Sequence, residues 1–428
     1  MNAFHANSYY AASVDLGPSL PALEGILQAD VCVIGGGLTG INTALELASR
    51  GMSVVLLEAG RLGWAASGRN GGQLIRGLGH EVESFGKWVG EEGVRFLHQA
   101  GFDSVEIVRQ RITEHQIECD LRWGYCDLAN KASHWKNLQA EKQQLEMLGY
   151  RHELRLVPQS DLHQVVASES YRGALVDMGS GHLHPLKLLL GEAQIAIAKG
   201  VQIYEHSRVV RLVHGKQVEV HTETGCVKAG SVVLACDALL GKLEPRLSSK
   251  VISAGSYVIT TAPLGESQAR ALLPLNTAMC DQQVTVDYYR RTVDNRLLFG
   301  GACHYSGRDP ADIKSYMRRK MEKVFPQLNG VDIDYAWSGL IGIGANRFPQ
   351  IGRLENERNI FYSQGYSGHG LNVTHFAAKI LADAISLQDG SGVELFEKVP
   401  HRHFPGGEML RSPLLALGML WYRIKDFV

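Results

Sequence analysis

One short segment constrains this chain more than any other. Gly35-Gly36-Gly37-Leu38-Thr39-Gly40 follows the β-rich run Ala29 to Ile34 and opens a stretch with helical spacing, in which Leu38, Ile41, Ala44, Leu45 and Ala48 share one face. Gly51 punctuates the end of that helix, and Ser53 to Glu58 reads as a second buried strand. Glu58 stands eighteen residues after Gly40. Strand, glycine turn, helix, strand and a terminal acid together make the dinucleotide-binding fingerprint, which the six-residue pattern alone would not. Gly35 serves the tight turn, Gly37 the approach of the pyrophosphate, and Gly40 the close packing of helix on strand. Leu38 and Thr39 bring the free N–H groups and the positive end of the helix to the phosphates. Glu58, with Ala59 beside it, accepts from ribose hydroxyls, and a carboxylate there disfavours a 2′-phosphate. FAD or NAD is therefore expected over NADP.

Two further glycine-rich loops favour FAD. Ala66, Ser67, Gly68, Arg69, Asn70, Gly71, Gly72, Gln73 and Leu74 follow soon after Glu58. Near the other end, Gly365-Tyr366-Ser367-Gly368-His369-Gly370-Leu371 opens a second helical run to Ile385. Reduced flavin carries negative charge near N1 and O2, and a glycine-rich helix start can meet it with donors. A simple NAD domain has no use for this distal loop.

Composition narrows the remaining classes. Lys and Arg number 43 against 44 Asp and Glu, so no basic excess exists to neutralise nucleic-acid phosphates. Seven cysteines, an odd number without a CxxC pair, suit a reducing cytoplasmic compartment. Residues 1–10 carry no Lys or Arg and no apolar core, so no secretory signal is read there. Fingerprint-like segments at both ends of 428 residues imply an α/β (α+β overall) chain, in which a Rossmann-like nucleotide domain interleaves with a β-rich one. The expected boundaries are 25–90, 165–245 and 335–400 for the first, 91–164 and 246–334 for the second, and 405–428 for an apolar C-terminal helix.

With these loops in view, the chain resembles the D-amino-acid-oxidase-like FAD-dependent amine and amino-acid oxidoreductases along nearly its whole length. It is most similar to the bacterial branch that holds gamma-glutamylputrescine oxidoreductase and L-pipecolate oxidase. Ser8 to Ser13, Ala66 to Gln73, Gly181 to Leu186, Phe299-Gly300-Gly301 and Gln364 to Gly370 carry the resemblance. It implies a flavin-binding fold of the glutathione-reductase/D-amino-acid-oxidase type, with FAD extended between the domains. It also implies hydride transfer from the carbon beside a substrate nitrogen to flavin N5. Ser67 to Leu74 would then flank the flavin ring, His369 to Leu371 its pyrimidine edge, Val209 the adenine, and Ala235-Cys236 the pyrophosphate.

The resemblance also bears on substrate and acceptor. Sarcosine oxidases grip a carboxylate with an Arg that corresponds to Arg76 and a Lys whose place is taken by Asn372. An Arg fork holds a carboxylate bidentately. Arg76 thus tilts the expectation toward L-pipecolate, oxidised to its cyclic imine, with gamma-glutamylputrescine or a sarcosine-like compound as the alternative. Tyr257, Tyr288 and Tyr289 are the aromatic candidates for the pocket wall, and His369 for the flavin side. The flavin-linking Cys of sarcosine oxidases falls near Gly339, implying non-covalent FAD. Their oxygen-activating Lys falls near Leu298, which leaves O2 or a respiratory quinone as acceptor. His182/His184 and His401/His403 lack neighbouring ligand clusters at metal spacing, so no metal is expected. The apolar run 413–420, followed by Trp421, Tyr422, Arg423 and Lys425, is too short to span a bilayer and suits either peripheral contact with the cytoplasmic membrane or packing on the protein's own core.

Overall fold

The computed structural model describes residues 4–79, 82–283, 285–304 and 309–405. Within them the strands form two sheets, of eight and nine strands. The first runs in the order Gln350–Arg353, Ile360–Gln364, Gly225–Leu234, Gly25–Ile34, Val54–Leu57, Gln202–Tyr204. Its inner pairs are parallel. Parallel strands need both faces covered, and this accounts for the unbroken apolar runs Val31 to Ile34 and Val54 to Leu57. Helices Leu38–Ser49, Pro185–Ala198 and Gly370–Ser386 contribute to the core on one face. On the other, Cys32, Ile34, Val55 and Leu57 pack with the Val218–His221 strand.

The second sheet runs Ile333–Gly344, Val251–Thr261, Leu297–His304, Asp287–Arg291, Ala278–Asp281, Arg122–Ala129, Gly173–His182, Gln73–Leu74, with Leu154–Pro158 paired to Gly173–His182. Only Ala278–Asp281 and Arg122–Ala129 run parallel there. Tyr257, Tyr289, Phe299, Met317 and Phe325 fill its core beneath the Ile313–Val324 helix.

The two sheets interleave as the sequence suggests, but three boundaries move. Gly173–His182 and Ile333–Gly344, expected within the nucleotide domain, belong to the second sheet. Gly86–Glu114, expected in the β-rich domain, packs on Gly370–Ser386 and shares the first core. Apolar runs of this kind fit either sheet, and only long-range pairing decides between them. The stretch 201–213, rich in β-branched residues, forms two separate strands, Gln202–Tyr204 and Arg211–Val213. Between them the N–H groups of His206 and Ser207 turn to the carbonyls of Gly60 and Glu58, at 3.1 and 2.7 Å. Among the described residues no helix is long and apolar enough to cross a membrane. The C-terminal helix expected over 405–428 lies, from 406 onward, outside the described residues.

Candidate active site

The crevice opens where the Gly25–Ile34 and Gly225–Leu234 strands end, the usual ligand position in a doubly wound sheet. Gly35 has φ +114°, and a Cβ on it would lie 2.6 Å from the carbonyl oxygen of Ala235. A Cβ on Gly40 would lie 1.8 Å from the Gly35 carbonyl oxygen, so the helix reaches the strand only because both positions are glycine. Gly37 begins the helix without a side-chain cap, and Ser67 Oγ accepts from the Leu38 N–H at 3.0 Å. Glu58 is buried and turns one carboxylate oxygen to the Gly36 N–H (2.6 Å) and the other to the Gly60 N–H (2.7 Å) and Trp64 Nε1 (2.8 Å). Burial is the main cause that lifts its pKa above the ordinary value.

From this crevice a single cavity of about 2120 Å³ continues to the second sheet. That is roughly twice the upper end of ordinary small-ligand pockets, about 300–1,000 Å³. Gly35, Gly37, Leu38, Thr39, Glu58, Ala59, Val209 and Ala235 line one end, with Ala66, Ser67, Arg69, Asn70, Gly71 and Gln73 along the side. Gly368, His369, Gly370 and Leu371 complete the wall from the far end of the chain. These residues fit the expected FAD: an uncapped helix start, glycines with no room for a side chain, and a carboxylate at the ribose position.

Some expected contacts are instead structural. Gly40, Gly68, Gly72, Leu74 and Gly365 do not line the cavity. A Cβ on Gly68 would meet the Gly63 carbonyl oxygen at 2.2 Å, and one on Gly72 the Leu183 carbonyl oxygen at 2.2 Å. These glycines let the flavin loop fold, and Leu74 is core. The Gly365 N–H donates to Asp237 Oδ1 at 2.7 Å. Asp237 itself lines the cavity and ties the distal loop to the end of Gly225–Leu234. Sequence reasoning passed over it, although it directly follows Ala235-Cys236.

The substrate-side expectations change more. Tyr257 and Tyr289 face the core of the second sheet, not the cavity, and the Tyr289 hydroxyl donates to that of Tyr171 at 3.0 Å. Neighbours alternate along a strand, so the cavity wall is built by Ser256, Val258 and Tyr288. The Tyr288 ring stands where any Cβ on Gly71 or Gly300 would be, 2.5 and 2.1 Å from ring carbons. Asn372 is buried away from the cavity, and its Nδ2 donates to the Gly77 carbonyl (3.1 Å) and Ser104 Oγ (2.7 Å). It fastens helices together and offers no donor to substrate. Leu298 packs with Tyr9, Tyr10 and Trp337, off the cavity wall, so its lack of charge carries no argument about the electron acceptor.

Arg76 does line the cavity, but the expected carboxylate clamp is already engaged. Its Nη1 lies 2.7 Å from Asp177 Oδ2, and its Nη2 lies 2.6 Å from Glu141 Oε1 and 3.5 Å from Asp127 Oδ2. Burial opposes the charge, yet Asp177, Asp127 and Glu141 outweigh it and hold the guanidinium protonated. One cation thus faces three carboxyl groups. Burial, then the Glu141 charge, pushes the Asp127 carboxyl up to about 7 despite Arg76.

His184 caps the Pro185–Ala198 helix by accepting from the Lys187 N–H. One group does bring ligand atoms within 4.8 Å of one another, Glu219, His221 and Cys226. Lys228 Nζ already holds Glu219 at 2.9 Å.

Comparison with known proteins agrees with this geometry. Residues 30–384 match the family model described as DAO, FAD dependent oxidoreductase. The chain is 42% identical to gamma-glutamylputrescine oxidoreductase of Escherichia coli (strain K12) over 423 residues, 99% of this chain and 98% of the relative. It is 23% identical to glycine oxidase of Geobacillus kaustophilus (strain HTA426), over 84% of this chain and 93% of the relative. The crystal structure of glycine oxidase from Geobacillus kaustophilus shares the fold with a TM-score of 0.71 at 20% identity, covering 84% and 95% of the two chains. L-Proline dehydrogenase from P. horikoshii does so with a TM-score of 0.69 at 20% identity, covering 88% and 98%.

Proposed function

The chain belongs to the DAO family of FAD-dependent oxidoreductases, and on that premise we propose that it oxidises the primary amine of a gamma-glutamyl diamine, gamma-glutamylputrescine above all. The observation that carries this reading is the charge around Arg76. A carboxylate placed there, as L-pipecolate would place one, meets three carboxyl groups already bound to the Arg76 guanidinium. An ammonium group is attracted by the same cluster. Gamma-glutamylputrescine carries an α-ammonium beside an α-carboxylate on its glutamyl head, remote from the amine that reacts, so that ammonium can turn to the cluster with the carboxylate directed away, whereas the nitrogen of L-pipecolate must face the flavin. The similarity to gamma-glutamylputrescine oxidoreductase along both whole chains supports the same choice.

In this reading Asp127 and Glu141 hold the head of the substrate, and the diamine chain runs along Ser256, Val258 and Tyr288 toward the flavin loop. Tyr288, whose pKa burial raises, stays a neutral hydroxyl and shapes the wall. When bound, FAD supplies the two-electron acceptor for the hydride leaving the carbon next to the amine. The nitrogen gives up a proton, the product is an imine, and water converts it to an aldehyde and ammonia. The neutral amine is the reacting form, so no general base is required of the protein.

The test is a comparison of kcat/KM for gamma-glutamylputrescine, putrescine, L-pipecolate and sarcosine with one artificial electron acceptor. Gamma-glutamylputrescine should lead the others by at least about tenfold, the worth of one well-placed charge pair, about 1.4 kcal/mol. A preference for L-pipecolate would overturn the reading. Turnover with O2 against turnover with a soluble quinone under nitrogen separates the two acceptors compatible with it.

A further inference from the structure

A second pocket, of about 90 Å³, lies apart from the flavin cavity and beside the Gly71–Gly72 turn. Arg122, His182, Asn276, Arg290, Arg291 and Asp120 are among its walls. Its volume is well above the roughly 10–15 Å³ that one bound water needs, and it has room for a small polyatomic ion. Both oxygens of Asp120 are held by Lys187 Nζ, at 3.0 and 2.9 Å, so the pocket's own carboxylate is neutralised.

The remaining charge is positive. Arg290 is only 4% exposed and has no carboxylate partner among the described residues. It donates to the carbonyls of Gly71, Leu183 and Arg291 and to the Tyr10 hydroxyl. Arg122 and Arg291 likewise form no ion pair among the described residues, and burial, then the repulsion of Arg270, weighs on the Arg291 charge, with Arg122 adding to it and Glu266 offsetting part of it. A buried cation without a counter-charge is costly, and the exposed Arg122 and half-buried Arg291 place further positive charge beside it.

Unpartnered polar atoms converge on the same place. His182 is 2% exposed, and its Nε2 donates to the Asn276 carbonyl at 2.9 Å. Its Nδ1 has no partner, nor do Asn276 Oδ1 and Arg291 Nε. All three residues line this pocket. An oxyanion would accept from Arg291 Nε; burial and then the Arg290 charge push the His182 imidazole down to about 3, and an anion beside it opposes both, so that a protonated Nδ1 donates only with the anion in place. Turning over the Asn276 amide would present Nδ2 in place of Oδ1.

We propose that this pocket is a binding site for one small oxyanion of phosphate size, held by Arg122, Arg291 and His182 against the charge of Arg290. The site is coupled to the flavin loop. Arg290 Nε holds the Gly71 carbonyl at 2.8 Å, and His182 pairs with both Gln73 and Arg122 across the sheet. Occupancy therefore stiffens the turn that carries Gly71 to Gln73.

The experiment titrates inorganic phosphate into the FAD-loaded protein by calorimetry, with ionic strength held constant by chloride. The loaded form is used because its cofactor already fills the pyrophosphate cradle. Saturable binding at one site and a rising Tm are expected, with formate giving a weaker version of both. The R122Q/R291Q double variant should bind phosphate at least about tenfold more weakly while its visible flavin spectrum is unchanged. Absence of saturable heat and of any Tm shift would overturn the proposal. So would an equal Tm shift with chloride alone, or undiminished affinity in the double variant.

Discussion

Thr39 and Tyr366 are 327 positions apart in the chain, and their hydroxyl oxygens lie 2.7 Å from each other. Ser363 Oγ closes the set at 2.6 Å from the same tyrosine oxygen. This buried contact joins the first turn of the helix after the glycine fingerprint to the distal glycine loop, and both line the cavity. T39V and Y366F should each cost about 0.5–1.5 kcal/mol in denaturant unfolding, the net worth of a buried hydrogen bond. Both should release FAD faster, and the double variant should cost less than the sum of the singles.

Gly40→Ala puts a methyl group 1.8 Å from a backbone oxygen that has nowhere to go. The strand or the helix must shift, at a cost of about 1–3 kcal/mol or more. FAD affinity should fall further than stability does, because the shift opens the turn that carries the phosphates. Gly86→Ala is the control, since its Cβ would meet only a side-chain carbon at 3.5 Å. Cofactor content and the unfolding midpoint of the purified variants check both halves.

Removing Arg76 leaves Asp177, Asp127 and Glu141 without their shared cation. Arg76→Met should cost about 3–5 kcal/mol, the range for breaking a buried pair from one side. The deficit should shrink as pH falls, because carboxyl groups freed of their cation take up protons in the folded state. Thermal melts of wild type and variant across pH 5 to 8 follow this directly.

Asp127 supplies a pH signature for substrate binding. Its pKa is raised from 3.8 to about 7, so the group ionises as pH rises through about 7. KM for gamma-glutamylputrescine should fall over that interval as the site gains negative charge, and D127N should flatten the profile. The same shift has a stability consequence of opposite sense. A raised folded pKa stabilises fully below the unfolded value and loses that contribution as pH climbs through about 7.

The cofactor half of the site was largely legible because its requirements are local. Gly35 and Gly40 are dictated by backbone approaches within a strand, a turn and one helix start, and a spacing pattern records them. The opposite wall of the cavity was legible only at Tyr288. Tyr257 was named where Ser256 and Val258 stand, since a strand's two faces alternate by one residue and nothing local marks the inward one. A register shift between Ser256 and Tyr257 against the Leu297–His304 strand compounds this. Arg76 reads as a free fork until its partners, 51, 65 and 101 residues away, are folded around it. Asn372 and the Gly173–His182 strand were misplaced for the same reason.

Residues from both ends of the chain line one cavity, and the proposed reaction passes electrons from a primary amine to the flavin held there. The most direct measurement is anaerobic mixing of the purified yellow protein with gamma-glutamylputrescine while its visible flavin absorbance is followed. Complete bleaching is expected, with a rate that saturates in substrate, and little change with L-pipecolate. A spectrum that stays oxidised with every amine offered, or a preparation that binds no flavin, would contradict it.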